Sequence, residues 1–257
     1  MKWFHAIGKR IHHFVVAKER HGVHSPLVYQ LMERDLNISL PPSFQIIQEH
    51  RKELIKSKSV WEIKDFGAGS RVSNFKPLGD SVKIASSNTK KGAFLYRWCK
   101  RFQPQNILEL GTHVGIGTAY LHLGNPLAKI TTLEGDPFLS GHAQTFFKNH
   151  DWHIDARIGN FDDILLPTLE EKSTFDLFVI DGNHKGNAMR KYIEYILPFA
   201  SENAWILLDD IHWSKDMSQA WQAIVEDPKF PLTLDFYQYG AVYLGNRKQK
   251  EHFVLKW

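Results

Sequence analysis

Residues 106–120 read N-I-L-E-L-G-T-H-V-G-I-G-T-A-Y, and the fold turns on how this stretch is read. Ile107, Leu108 and Leu110 make a short apolar run that suits a buried parallel strand. Glu109 and Gly111 close it. The chain then turns through Thr112, His113 and Val114 to Gly115 and Gly117, and Ala119, Tyr120, Leu121 and Leu123 continue at helical spacing. Strand, glycine turn and helix start together make the loop that meets a nucleotide-like ligand in doubly wound folds. Glycine lets backbone approach a ligand where a Cβ would collide. The spacing, Gly111 then Gly115 then Gly117, is not the G-x-G-x-x-G of a dinucleotide fingerprint. A nicotinamide dehydrogenase is therefore the least favoured reading.

Downstream, strand and helix patterns alternate. Residues 129–133 read as a strand ending in Glu134-Gly135-Asp136-Pro137, with Pro137 suited to a first helical turn over 138–149. Strands are expected at 153–158, before Gly159-Asn160-Phe161, and at 175–180, before Asp181-Gly182-Asn183-His184. Another is expected at 204–208, before Asp209-Asp210-Ile211-His212. Residues 232–237 and 241–244 read as a terminal hairpin turned by Gly240. Repeated strand–helix units imply a mostly parallel sheet with helices on both faces. Ligands bind such sheets at the carboxyl ends of the strands. Four of these five strand ends carry an acid and the other carries Gly-Asn, so the pattern is hard to read as surface decoration.

Upstream, Phe4, Ile7, Ile11, Phe14 and Val15 recur at helical spacing among Lys2, Lys9 and Arg10, a basic amphipathic helix. Such a helix covers its own protein, packs in a homodimer, or lies on a membrane. Two more helical runs span 27–36 and 44–56. Residues 64–70, K-D-F-G-A-G-S, resemble a second glycine loop, but residues 71–80 that follow have no helical period and read as loop. Residues 86–102 read as a helix stopped by Pro104.

Residues 1–60 hold ten Lys/Arg against five Asp/Glu, while the whole chain is only +4, so the front of the chain is basic. That asymmetry suits an anionic partner or a solvated helical face. The single Cys99 excludes an internal disulfide and sits in an apolar helical pattern, which suits a core residue in a reducing cytoplasm. No apolar run reaches the ~18–20 residues of a membrane span.

The motif at 109–117 and the ordered acids resemble class I S-adenosylmethionine-dependent methyltransferases, and within them the catechol-type O-methyltransferases, over about residues 86–244. The opening His21-Gly-Val-His24-Ser-Pro is similar to an N-terminal signature of a bacterial branch of methyltransferase-like proteins. The resemblance implies a Rossmann-like, doubly wound seven-stranded sheet in the order 3-2-1-4-5-7-6, strand seven antiparallel. It implies a helical extension over 1–85 and a cofactor-binding domain over 86–257. It assigns Glu109, Gly111, His113, Gly115 and Gly117 to the cofactor loop and Glu134 to the ribose hydroxyls. Gly159, Asn160 and Phe161 would lie beside the adenine, and Ser87 near the methionine end. Asp181, also assigned to the cofactor site, matches a metal-binding aspartate. Asp209 and Asp210 match the acid–amide pair after strand five, and three carboxylates suit Mg²⁺. Two positions depart from the pattern: Asp210 replaces the amide, and His184 replaces a catalytic lysine. Whether a metal is used stays open on these residues.

The implied activity is methyl transfer from S-adenosylmethionine to an oxygen of a small-molecule acceptor, with Asp181 and His184 as catalytic groups. An RNA ribose methyltransferase and a non-catalytic cofactor-binding or membrane-associated module are the alternatives. The Asp-Pro-Pro-Tyr type of tetrad used in amine methylation of bases is replaced here by Asp181-Gly182-Asn183-His184.

Overall fold

The computed structural model describes residues 2–62, 75–171 and 174–257, so the second glycine loop at 65–70 lies outside the described residues. Three helices come first: α1 (Lys2–Val16), α2 (Pro26–Glu33) and α3 (Phe44–Lys56). Two three-residue strands, β1 (Val60–Glu62) and β2 (Phe75–Pro77), lead into α4 (Leu78–Ala85). Alternation then sets in with α5 (Thr89–Phe102), β3 (Asn106–Leu110), α6 (Ile116–Gly124), β4 (Lys129–Glu134), α7 (Pro137–Asn149) and β5 (Asp155–Ile158). It continues through α8 (Phe161–Glu170), β6 (Phe175–Ile180), α9 (Gly186–Ile196), β7 (Ala200–Asp209) and α10 (Lys215–Glu226). β8 (Leu232–Asp235), β9 (Tyr239–Tyr243) and β10 (Glu251–Val254) close the chain.

The chain divides into two compact units, residues 35–165 and residues 1–34 with 166–257. In the unit of 35–165, β3, β4 and β5 are parallel neighbours, with Leu110 opposite Leu133 and Glu134 opposite Ile158. That register brings the ends of the three strands to one edge. Ile107, Leu108 and Leu110 are wholly buried, as a run without alternation requires when both sheet faces are covered. Asn88 caps α5 by accepting from the Lys91 N–H at 3.0 Å. Gly92 lets α5 approach the Tyr120 ring on α6, where any Cβ would collide.

In the other unit, β6 and β7 are parallel, β9 runs antiparallel to both β7 and β8, and β10 joins β8 in parallel. Within the units, then, the strands run β3-β4-β5 and β6-β7-β9-β8, which are the 1-2-3 and 4-5-7-6 runs of the expected order, with β9 the antiparallel strand seven. The fold is α/β with eight mostly parallel strands; β10 adds one beyond the expected seven.

The hairpin departs from expectation at its turn. Gly240 lies inside β9, opposite Leu208 and Asp235, and the turn is at residues 236–238. Asp235 makes it: its Oδ1 accepts from the Tyr237 N–H at 2.8 Å, and Tyr237 takes a left-handed φ of 70°. Gly240 serves packing instead, since a Cβ there would meet the Trp221 ring at 2.7 Å. Residues 75–80, read as lacking a helical period, contain β2 and the start of α4.

The spacing in α1 predicts apolar contacts at Ile11 and Phe14 within the protein or a dimer. Within the single chain both are exposed, at 61% and 69%, while His13 Nε2 lies 3.4 Å from Asp235 Oδ1. The Phe4 and Ile7 side chains fall outside those described. Among the described residues, no helix is long and apolar enough to cross a membrane.

Candidate active site

The unit of residues 35–165 assembles the predicted cofactor loop. β3 ends at Leu110, and Gly111 turns at φ 111° with its N–H on the Leu133 carbonyl, 2.9 Å. His113 follows at φ 50° and Gly115 at φ 82°. The left-handed region costs a non-glycine residue about 1–3 kcal/mol, so His113 is held there by its surroundings. Gly115 has a second constraint: a Cβ would stand 2.8 Å from the Phe147 ring.

Glu134, half-buried at the end of β4, receives that loop. Its Oε2 accepts from the His113 backbone N–H at 2.7 Å and its Oε1 from the Asp136 N–H at 2.9 Å. A carboxylate has lone pairs beyond those that backbone N–H groups engage, and a vicinal diol would use these. Burial raises the Glu134 pKa, and the Asp136 and His113 N–H groups oppose that rise. Gly159 N–H donates to the Glu134 carbonyl at 2.9 Å, so residues 159–161 lie beside the acid. The Asn160 side chain caps α8 through the Asp162 N–H, 3.1 Å away, and Phe161 begins that helix half-buried.

Glu109 lies beneath the loop, 2% exposed. Its Oε2 accepts from Thr118 Oγ1 at 2.5 Å and Thr132 Oγ1 at 2.6 Å. Burial pushes its pKa up to about 7, against those two hydrogen bonds and with help from the Glu134 charge. A Cβ on Gly117 would stand 3.2 Å from Glu109 Oε1 and 3.6 Å from Ser87 Oγ, so Gly117, Glu109 and Ser87 form one small patch. Every residue expected to hold the cofactor, Asp181 excepted, is in this unit. The cradle of positive-φ backbone and a diol-ready carboxylate fit an adenosine-bearing ligand.

The other unit carries the remaining acids. Asp181 follows β6 and lies 3.9 Å, Oδ1 to Nε2, from His184, both side chains partly exposed. Asn183 between them takes a left-handed φ of 50° and donates to the Tyr192 hydroxyl at 3.0 Å, which fixes the turn bearing His184. Asp209 is buried at the end of β7, and Asp210 turns out of the strand at φ 52° with its N–H on the Gln238 carbonyl, 2.7 Å. Among the described residues, no three His, Cys, Asp or Glu side chains are grouped so as to hold a metal ion. Asp181, Asp209 and Asp210 therefore do not fit the three-carboxylate site, and no step below is routed through a cation.

A buried His–Asp pair beside these acids has no counterpart among the predicted residues. His212 Nε2 lies 2.8 Å from Asp235 Oδ2, which also accepts from Trp221 Nε1 at 3.1 Å. Burial alone would raise the Asp235 pKa, yet the contacts of His13 and His212 hold it well below the usual carboxylate range. His212 stands out in the sequence as the end of Asp-Asp-Ile-His. Its partner is 23 residues away, which no local pattern reveals.

Residues 108–211 match the family model described as a methyltransferase domain. The chain is 30% identical over 133 residues to a catechol O-methyltransferase of Niastella koreensis, a match that covers 49% of this chain and 58% of that enzyme's length. Among solved structures it is similar to the S-adenosylhomocysteine-bound methyltransferase PaMTH1 of Podospora anserina, with TM-score 0.61 and 19% identity, covering 87% of this chain and 97% of that one. An O-methyltransferase of Bacillus cereus in complex with S-adenosylhomocysteine aligns with TM-score 0.56 and 15% identity, over 85% and 96% of the two chains. At those identities the two structures establish a shared fold.

Proposed function

We propose that this chain, which carries a methyltransferase domain over residues 108–211 on the class I fold, transfers the methyl group of S-adenosylmethionine to an oxygen of a small-molecule acceptor. The observation that carries the reading is Glu134, whose two oxygens are fixed by the His113 and Asp136 N–H groups and still have lone pairs for a ribose diol. When bound, S-adenosylmethionine supplies a methyl group activated by its sulfonium. The chain's task is to orient that group and the acceptor for in-line attack and to take up the acceptor's proton. Gly111, Gly115 and Gly117 clear space for the ligand, with Glu109 and Ser87 beneath it. Residues 159–161 border the adenine side.

His184 takes the proton from the acceptor hydroxyl, and the carboxylate of Asp181, 3.9 Å away, orients and stabilises the imidazolium that results. Magnesium, which the family resemblance leaves open, has no three-ligand group among the described residues. In this reading His184, and not a cation, meets the acceptor's proton.

The test uses methyl-labelled S-adenosylmethionine with a panel of phenols, catechols and alcohols, and separately with RNA. Label in a small molecule, retained in EDTA, is the expected result. His184→Ala should lower kcat by roughly 10²–10⁴-fold, the usual worth of acid–base catalysis. Label in RNA would overturn the acceptor class. Normal cofactor binding with no transfer to either would overturn catalysis.

A further inference from the structure

The segment ahead of the methyltransferase domain reaches the same carboxylate by two routes. β1 and β2 pair antiparallel, Val60 opposite Pro77 and Trp61 opposite Lys76, and the Leu78 N–H on the Ser59 carbonyl at 2.8 Å joins the hairpin to α4. From β1, the buried Trp61 donates its indole N–H to Asp136 Oδ2 at 2.9 Å and stacks on Phe138, centroids 5.1 Å apart and planes 14° from parallel. From α4, Ser81 Oγ lies 3.0 Å from His113 Nε2. Asp136 and His113 both hold Glu134 through their backbone N–H groups.

Each link is specific in what it fixes. Asp136 Oδ1 already caps α7, accepting from Phe138 N–H at 2.8 Å, so the Trp61 bond to Oδ2 immobilises the whole carboxylate and the backbone that carries its N–H. His113 sits in the left-handed region, and Ser81 secures its ring there. A carboxylate that must receive two hydroxyls gains from donors fixed before the ligand arrives.

We infer that Trp61 and Ser81 are positioning residues of the cofactor site, acting on the ribose-binding Glu134 through Asp136 and His113. The hairpin and α4 are thus a working part of cofactor recognition rather than a separate cap. The inference rests on the assignment of Glu134 to the ribose.

The experiment is a double-mutant cycle read by calorimetric titration with S-adenosylhomocysteine, using Trp61→Phe, Glu134→Gln and the pair. Phenylalanine keeps a ring to stack on Phe138 and removes only the N–H. Trp61→Phe alone should weaken binding about three- to tenfold, the scale of one hydrogen bond. In the Glu134→Gln background it should change the dissociation constant less than twofold. Ser81→Ala gives a second cycle should Trp61→Phe fold poorly, and Ser81→Thr should restore the wild-type affinity. Two additive cycles, or wild-type affinity in both Trp61→Phe and Ser81→Ala, would overturn the inference. Wild-type affinity in Glu134→Gln would instead overturn the ribose assignment on which it stands.

Discussion

Glu109 shows how much one buried residue can impose. A carboxyl group held near pH 7 by burial is about half ionised at neutrality, although two threonine hydroxyls favour its charged form. It adjoins Gly117 in the glycine loop. On the proposed reading, in which the cofactor lies on this loop, S-adenosylmethionine carries a sulfonium charge and S-adenosylhomocysteine does not, so only the former is attracted when Glu109 ionises. The sign follows directly: raising pH through about 7 increases the negative charge and so favours the methylated ligand. The ratio of the two affinities should rise roughly 3- to 10-fold between pH 6 and pH 8, the scale of a partly screened charge interaction. Glu109→Gln should flatten it. A constant ratio in the wild-type protein would contradict this account of Glu109.

Between elements, the tie of α3 to α7 is a flat stack of His50 on Phe146, centroids 3.7 Å apart and planes 2° from parallel. Burial lowers the His50 pKa to about 4, and the neighbouring His142 and His150 push it the same way, against a hydrogen bond involving the Val114 backbone. The folded state thus binds this proton less readily than the unfolded chain does, with its ordinary value near 6.5. Stability from this contact is complete above about pH 6.5 and is lost progressively as pH falls toward about 4. His113, lowered to about 4 by burial, adds a drop of the same sign. Urea midpoints should therefore fall between pH 7 and pH 5. His50→Phe, which keeps a ring on Phe146, should reduce that fall without abolishing it. A midpoint with the same pH dependence in both proteins would remove His50 as a cause.

The same scale shows what the sequence reveals. The β3–loop–α6 element is legible because its signals are local: an unbroken apolar run, then glycines at positions whose backbone or packing demands them. The β1–β2 hairpin is not legible. Val60-Trp61-Glu62 and Phe75-Lys76-Pro77 are too short for a period, and their pairing is set by tertiary contact. The last turn misleads for a related reason. A glycine suggests a turn, but Gly240 answers to the Trp221 ring, while Asp235 makes the turn with its side chain.

For the molecule as a whole, the alternation of strands and helices and the acids at the strand ends are readable because each βα unit repeats one local pattern, whereas the order of the strands comes only with the family resemblance. Which acids act together is not readable, since partners such as Asp235 and His212, or Trp61 and Asp136, are brought together only by the fold. The family resemblance suggests three carboxylates around a cation, and among the described residues no such group of three is gathered. What the unit of residues 35–165 does gather is Glu134 beside the positive-φ glycine loop, where we propose that one adenosine-bearing cofactor binds. The most direct test is a calorimetric titration of the full chain with S-adenosylmethionine, with and without the Glu134→Ala substitution. The account predicts one cofactor per chain and a loss of roughly 1.5–3 kcal/mol in the variant, the worth of hydrogen bonds to a charged group. No binding by the wild-type chain, or unchanged affinity in the variant, would contradict it.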